Sequence, residues 1–224
     1  GMQILHLLLR DTRHAKHCNL IPDQPVGDMY QHIADLVYER LKEQSSESYI
    51  ASEWFKYGVT RAMAKAAVMN KPYGQSYYHV LSNFLSIIGD NHPFQEGENI
   101  DAINYLAEQF NTVAREELES VVRIQKFLRG CANAIGNQII RWTTPSGYKV
   151  VQGLTKTKRL QCRTIVGNIS TTVELEDDTD EIDPKEQRKG ITANFIHGID
   201  AAVVHRLAYG MAYDMGFVHD CFIS

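Results

Sequence analysis

The spacing of hydrophobic residues changes near Ile139, and this change constrains the fold more than any other feature of the sequence. Before it, apolar side chains recur at helical intervals, most extensively from Ile100 to Asn137, a stretch that we expect to break once near Gly130. After it, Ile139 to Thr144 and Tyr148 to Gln152 are strand-like and flank a Pro-Ser-Gly turn, which predicts a β-hairpin. The sequence therefore predicts an α+β fold, mostly helical at first and followed by a small antiparallel sheet.

Further helices are predicted from periodicity and from capping residues. Asp28 is a suitable N-cap for one of them. Another, from Trp54 to Lys71, should divide into two pieces around Gly58. Helical spacing also recurs in residues 1–13, Tyr77 to Ile88 and Ile191 to Tyr213.

Acidic residues are concentrated in one block, with seven carboxylates in the ten positions from Glu174 to Asp183. A run of like charge repels itself, so we expect a solvated loop there. The chain has a net charge of −4 but is net basic outside this block, so its charge argues only mildly against nucleic-acid binding. The four cysteines are far apart and form no Cys-x-x-Cys pair, which favours a reducing, cytoplasmic setting over a disulfide framework or a structural zinc site.

A first candidate site lies in the helix around residue 65. Arg61, Lys65 and Met69 are spaced four apart and therefore lie near one face. Two cations on one helical face can hold a polyphosphate. Tyr73 can stack on a base, and Gly74 lets the backbone pass close beside it. Taken alone, the same pattern also fits a solvated helical face and a tyrosine of the core.

Two later segments combine polar and apolar residues in a similar way. Asn194 to Asp200 reads Asn-Phe-Ile-His-Gly-Ile-Asp, and Phe217 to Phe222 reads Phe-Val-His-Asp-Cys-Phe. A carboxylate between apolar β-type residues needs a partner, and a divalent cation is one such partner. Each segment taken alone also fits a capping arrangement or an exposed aspartate at a strand end.

The three segments together, in this order, resemble the single-subunit RNA polymerases of bacteriophages and mitochondria. The first is similar to the fingers helix of that family, the second to the helix before its catalytic hairpin, and the third to the palm hairpin itself. The resemblance extends over essentially the whole chain, because further stretches are similar to the family. These are Gly1 to Gln3, Leu9 to Asp11, Asn19 with Leu20, Trp54 to Arg61 and Arg141 to Tyr148.

The resemblance implies a phosphoryl-transfer site. Asp220 would bind the Mg²⁺ ions that activate the primer 3′ hydroxyl and stabilise the leaving pyrophosphate. Arg61 and Lys65 would contact the triphosphate of the incoming nucleotide, and Lys65 would neutralise or protonate the departing oxygen. His219 would be a neighbour of the metal ligand.

The resemblance also implies nucleic-acid contacts and a choice of sugar. Tyr73 would lie by the ribose and help to select ribonucleotides, Gly74 would allow close approach of the template, and His197 would contact the growing duplex in its minor groove. DNA polymerases with similar fingers carry Phe or Tyr at the position of Met69 and Glu at the position of Cys221. Both differences favour the RNA polymerase branch.

The resemblance divides the chain into three regions. Residues 1–50 would form partial palm helices, residues 51–138 the fingers, and residues 139–224 a palm region with the catalytic hairpin, truncated at its C-terminal end. The expected partners are a DNA template, the RNA product and ribonucleoside triphosphates, in the cytoplasm of the host if the protein is viral.

The second catalytic carboxylate decides what the isolated chain can do, because two-metal catalysis needs carboxylates from two places. By the resemblance, the other aspartate precedes the glycine that matches Gly1, so we expect the chain to be inactive alone. It would be a fragment, or a subunit whose partner polypeptide supplies that aspartate. The alternative is a degenerate remnant that serves as a non-catalytic, helical nucleic-acid- or protein-binding domain.

Overall fold

The computed structural model describes residues 1–89, 92–94, 99–211, 215–218 and 221–223. The chain forms two compact units, Gly1–Lys126 and Phe127–Ser224, and each is described by itself. Within the described residues, no helix is both long and apolar enough to cross a membrane.

The first unit is helical. Its core forms where α3 packs against α4, α5 and α7. The two single-turn 3₁₀ helices are Lys16–Cys18 and Lys71–Tyr73. The α-helices that begin in this unit are α1 (Met2–Leu8), α2 (Thr12–Ala15), α3 (Met29–Gln44), α4 (Tyr49–Tyr57), α5 (Arg61–Val68), α6 (Tyr77–Ile88), α7 (Asn99–Glu117) and α8 (Glu119–Ile135).

The apolar stripes predicted from helical periodicity form this core. Ile33, Val37 and Leu41 of α3 are fully buried. The indole of Trp54 is also buried and donates a hydrogen bond of 2.8 Å to the carbonyl of Ala102, so α4 is fixed to α7 by a polar contact as well as by packing.

Two predicted interruptions of helices have different outcomes. The division at Gly58 is confirmed, because this glycine ends α4 at a φ of 92°. The break predicted near Gly130 is wrong: Gly130 lies inside α8, and the interruption falls at the buried Leu118. A glycine inside a helix costs only about 1 kcal/mol, which a packed helix tolerates. Hydrogen bonds continue across Leu118, from its amide to Ala114 and from Val122 to its carbonyl.

Two other helix boundaries differ from the predicted ones. The segment of residues 1–13 contains two helices rather than one, because Arg10 adopts a φ of 52° between α1 and α2. The helix α4 begins five residues before Trp54, since the Ser48 hydroxyl accepts a hydrogen bond from the Ala51 amide at 3.3 Å. Asp28 caps α3 as predicted.

The second unit contains the strands and one long helix. Its strands pair as three two-stranded antiparallel sheets within the part of the chain that the structure describes, β1 with β2, β3 with β4 and β5 with β6. This arrangement confirms the α+β class and the predicted hairpin. The elements are β1 (Ile140–Thr143), β2 (Lys149–Gln152), β3 (Thr155–Val166), β4 (Ile169–Ile182), α9 (Pro184–Gly210), β5 (Gly216–Val218) and β6 (Cys221–Ile223).

The acidic block is a strand, so its prediction as a loop is wrong, although the block is solvent-exposed as expected. Residues 174–182 belong to β4, which pairs with the basic strand β3 in a structure that we call the charged ribbon (β3 and β4). Lys156 lies 2.8 Å from Glu181, and Lys158 lies 3.4 Å from Asp177. Opposite charges on facing strands relieve the repulsion that the sequence alone suggested. The last acid of the block, Asp183, caps α9.

Candidate functional site

The helix α5 presents its cations on one exposed face. Its N-cap is Thr60, whose hydroxyl accepts a hydrogen bond from the amide of Met63 at 3.3 Å. Met63 is buried with the other apolar residues of the helix, whereas Arg61, Lys65 and Met69 are exposed. The predicted alignment of the two cations on one face is therefore present.

Arg61 is held by the residue that caps the neighbouring helix. Its Nε donates to Oδ2 of Asp28 at 2.5 Å, and its Cζ lies 5.4 Å from the centroid of the Tyr30 ring. The other oxygen, Oδ1, accepts from the amides of Tyr30 at 2.9 Å and Gln31 at 3.1 Å. Burial alone would raise the pKa of Asp28, but the hydrogen bonds from Arg61 and from these amides lower it. The carboxylate of Asp28 thus both caps the N-terminus of α3 and orients Arg61.

The turn after α5 places Tyr73 and Gly74. The 3₁₀ helix ends at Gly74, which has a φ of 92° and donates its amide to the carbonyl of Lys71 at 3.0 Å. This left-handed conformation suits glycine, because a Cβ would strain it. Tyr73 is half-buried beside Gly1: a Cβ added at Gly1 would lie 2.7 Å from Cζ of the tyrosine. The face of the turn opens into a pocket that also includes His79.

Two side chains from α7 and α8 fix this turn, and the sequence did not reveal them. Gln125 donates its amide hydrogens to the carbonyls of Lys71, at 2.5 Å, and Pro72, at 3.0 Å. Lys71 in turn donates to Oδ1 of Asn111 at 2.6 Å. Burial and the nearby Arg115 lower the pKa of Lys71. The only sequence signal is the polar Gln125 within the apolar stripe of α8.

In the second unit, His197 lies on α9, where the helix meets the β1–β2 hairpin. It is exposed and lines an open pocket with Tyr148 and Asn194. The helix approaches closely at Gly198, where an added Cβ would lie 3.4 Å from a methyl carbon of Thr144.

Buried amides fix the hairpin to α9. The Gln152 side chain donates to both the carbonyl and Oε1 of Gln187 at 2.9 Å, and Asn194 donates to Oε1 of Gln152 at 2.8 Å. Gln187 returns a hydrogen bond to the carbonyl of Gln152 at 3.0 Å. Since both glutamines are buried, each bond replaces one to water, and the network orients the helical turn that bears His197.

The segment predicted as the palm hairpin, Phe217 to Phe222, overlaps the strands β5 and β6. The strands β5 and β6 pair antiparallel, with Val218 opposite Cys221. His219 and Asp220 lie outside the described residues, so their assigned roles remain predictions. Arg61 and Lys65 lie on α5 in the first unit, and the Tyr73–Gly74 turn follows this helix in the same unit.

A histidine–carboxylate cluster in the first unit was not anticipated. His6 and His14 are buried, and the Nδ1 atoms lie 3.2 Å and 3.3 Å from Oδ2 of Asp11. Burial alone would raise the pKa of Asp11, but the hydroxyl of Ser120 and the neighbouring imidazole of His14 lower the pKa to about 2. Burial also lowers the pKa of His6. The sequence signal is faint: four of the nine histidines lie within the first 32 residues.

Comparison of the sequence with known protein families identifies the family of this chain. The model of the DNA-dependent RNA polymerase family matches residues 1–224. The chain belongs to this family. The predicted resemblance to phage and mitochondrial enzymes is therefore confirmed, and with it the membership of a nucleotidyltransferase family.

Individual RNA polymerases are similar over nearly the whole chain. The DNA-directed RNA polymerase of Pseudomonas phage phiKMV is 28% identical over 90% of the chain and 26% of its own length. The mitochondrial DNA-directed RNA polymerase of Schizosaccharomyces pombe is 27% identical over 90% of the chain and 18% of its own length. That of Mus musculus is 25% identical over 99% of the chain and 19% of its own length. The chain thus spans about a quarter or less of these relatives.

Proposed function

We propose that this chain provides the nucleotide-binding fingers and part of the palm of a DNA-dependent RNA polymerase. The observation that carries the proposal is the exposed face of α5, where Arg61 and Lys65 lead into the fixed turn at Tyr73 and Gly74. Its substrates are ribonucleoside triphosphates, a DNA template and the growing RNA.

The contact between Arg61 and Asp28 suits a site that must accept a triphosphate. The two side chains are 50% and 35% exposed. Pairs this exposed contribute only about 0.2–1 kcal/mol, so little free energy is needed to separate them. A triphosphate offers several charged oxygens to the same planar guanidinium and forms stronger, charge-assisted hydrogen bonds. Asp28 therefore holds Arg61 in position until the triphosphate of a nucleotide replaces the Asp28 carboxylate as the partner of the guanidinium.

Lys65 is available for the developing charge on the leaving pyrophosphate. It lies one turn after Arg61 on the same exposed face, and it forms no ion pair within the described residues. A preorganised ammonium near a departing oxygen stabilises charge that increases in the transition state. Lys65 then acts on the leaving group, while Arg61 orients the triphosphate.

Tyr73 and Gly74 select and position the sugar and the template. Gln125 donates to the carbonyls of Lys71 and Pro72, the two residues before Tyr73, and these bonds restrain the turn. A rigid tyrosine beside the ribose can distinguish a 2′ hydroxyl from a hydrogen, since a polar site that lacks its partner loses a hydrogen bond. His197 contacts the duplex from the exposed face of α9.

Asp220 serves as a ligand of Mg²⁺, a proposal that rests on the similarity of its sequence neighbours to the palm hairpin. Carboxylate oxygens are ligands that this ion prefers, and Mg²⁺ would supply the charge stabilisation of a two-metal transfer. A single carboxylate leaves such a site incomplete. We therefore expect extension of a primer to require a second aspartate from a partner polypeptide or from a longer form of the protein.

Nucleotide binding tests the first step directly. Calorimetric titration of the chain with a ribonucleoside triphosphate should give a dissociation constant that increases roughly 10- to 100-fold in Arg61→Ala and in Lys65→Ala, because each removes a charge-assisted bond. Lys42→Ala is the matched control, an exposed helical lysine paired with Glu39. Equal affinities in all three variants would refute the assigned role of α5.

Primer extension tests the second step. On an RNA–DNA scaffold with magnesium, we expect extension only when a polypeptide that carries the second aspartate is added, and Asp220→Ala should abolish it. A chain that binds nucleic acid without any dependence on metal or on Asp220 would instead be a non-catalytic binding domain.

A further inference from the structure

The histidine–carboxylate cluster of the first unit, defined as His6, Asp11 and His14, has the composition of a metal site. It lies where α1 turns into α2. The two Nδ1 atoms and the carboxylate oxygen all lie within 4.8 Å of one another. Two imidazoles and one carboxylate form a common three-residue ligand set for zinc and similar ions.

The two distances from Asp11 to the histidine nitrogens match those in a tetrahedral coordination sphere. Bonds of roughly 2.0–2.1 Å from zinc to nitrogen and oxygen place neighbouring ligand atoms about 3.3 Å apart. Oδ2 of Asp11 lies 3.2 Å from Nδ1 of His6 and 3.3 Å from Nδ1 of His14. An ion can therefore enter with only small movements of the side chains.

The far side of His14 is arranged as it is in many metal-binding histidines. Its Nε2 lies 2.9 Å from Oε2 of Glu117, and His32 approaches the same oxygen with its Nε2 at 2.9 Å. Histidines that bind a metal through one nitrogen commonly donate the other N–H to a carboxylate, which fixes the tautomer. Here that tautomer directs the Nδ1 lone pair of His14 towards Asp11.

Without a cation, polar atoms of the cluster lack the partners that would stabilise them. In the tautomer that donates to Glu117, the lone pair of His14 faces a carboxylate oxygen, and Oδ2 of Asp11 also receives the hydroxyl of Ser120 at 2.6 Å. Among the residues that the structure describes, the buried Nε2 of His6 has no hydrogen-bond partner. A divalent ion bound to the other nitrogen would polarise the ring and hold it in place. The competing explanation is an imidazolium at His14 between two carboxylates.

Solvent can reach the cluster from one side. Asp11 and His14 line an open pocket with Arg10, Arg13 and Arg123. An ion with three protein ligands keeps a position for water or another small ligand, so the open side completes the coordination.

We propose that His6, Asp11 and His14 bind one divalent transition-metal ion of the zinc class. Its imidazole ligands make it distinct from the Mg²⁺ proposed at Asp220, because Mg²⁺ prefers oxygen ligands. The ion joins α1 and α2 to the end of α7 through Glu117 and so stabilises this part of the first unit.

The amount of zinc that the chain retains tests the proposal directly. After dialysis against zinc and then against metal-free buffer, the full chain should retain one zinc per molecule. The single variants His6→Gln, Asp11→Asn and His14→Gln should retain none, and Glu117→Gln should bind about 10- to 100-fold more weakly, as expected when a histidine loses its supporting carboxylate. His17→Gln is the matched control, because His17 stacks on His32 at 3.9 Å without belonging to the cluster.

X-ray absorption of the zinc-loaded wild-type chain provides a second test, which does not depend on the folding of any variant. We expect a first shell of nitrogen and oxygen with two imidazoles. A zinc–sulfur distance would overturn the proposal, since a cysteine would then be a ligand. Zinc retention by the wild type no greater than by His14→Gln would also overturn it and would favour the imidazolium at His14.

Discussion

Asp28 joins two functions in one carboxylate, and two substitutions separate them. Asp28→Asn keeps an oxygen that can accept from the amides of Tyr30 and Gln31, because Asn caps helices about as well as Asp. It loses the charge that faces Arg61, a half-exposed pair that contributes about 0.2–1 kcal/mol. Asp28→Ala loses both contacts, and the missing cap costs about 1 kcal/mol more.

Urea unfolding measures both losses. At neutral pH and low salt, we expect the free energy of unfolding to decrease by less than about 1 kcal/mol in Asp28→Asn and by about 1–2 kcal/mol in Asp28→Ala. Added salt should reduce only the part that comes from the pair with Arg61. In the background of Arg61→Ala, Asp28→Asn should have almost no effect.

The pH dependence has a definite sign. The pKa of Asp28 in the folded protein lies below its ordinary value of 3.8, so the ionised form is favoured in the folded state. The stability that the charge contributes is therefore fully present above that ordinary value and is lost as the pH falls through the lower, folded-state pKa. The difference between the wild type and Asp28→Asn should be constant near neutrality and should shrink below about pH 4.

The same reasoning predicts how Asp28 affects nucleotide binding. Because Asp28 competes with the triphosphate for Arg61, Asp28→Asn should bind a ribonucleoside triphosphate at least as tightly as the wild type. Two results would refute the reasoning: equal destabilisation in Asp28→Asn and Asp28→Ala, or weaker nucleotide binding in a folded Asp28→Asn variant.

Three further predictions concern the turn and the charged ribbon. Gln125→Leu removes the side-chain donor to the Pro72 carbonyl and one of the two donors to the Lys71 carbonyl. It should lower the free energy of unfolding by about 1–3 kcal/mol, as measured by urea titration, with Lys126→Leu as the neighbouring control. Gly74→Ala should cost about 1–2 kcal/mol because of its left-handed φ, and it should also weaken nucleotide binding; an unchanged thermal midpoint would contradict this. Lys158→Glu places a like charge opposite Asp177 and should increase amide hydrogen exchange in β3 and β4.

Local patterns in the sequence predicted local structure well. The boundaries of α6 coincide with the predicted Tyr77 to Ile88, and the β1–β2 hairpin formed around its Pro-Ser-Gly turn. Periodicity and turn residues act over a few positions, so they can be detected without knowledge of the fold. The error at Gly130 has the opposite origin, because glycine marks a helix end only where packing does not hold the helix together.

Contacts between distant residues could not be predicted from one sequence. The prediction of a loop for the acidic block is wrong because the basic strand that pairs with it lies earlier in the chain. His14 meets Glu117 across 103 positions, and Gln125 meets Lys71 across 54. The polar side chains that fix the site acquire their roles only when the helices pack. The cations of α5 were recognisable because their spacing within one helix determines their common face.

The charged ribbon determines where the net negative charge of this chain lies. From Thr155 to Asp183, four basic and seven acidic residues leave the ribbon and the cap of α9 with three of the chain's four net negative charges. The rest of the chain is thus nearly neutral, and the basic excess outside the acidic block comes from residues of β3. Screening limits the field of exposed charges to about 10 Å at moderate salt. Attraction of a polyanion therefore depends on a few local cations such as Arg61 and Lys65, so the salt dependence of binding should report those contacts alone.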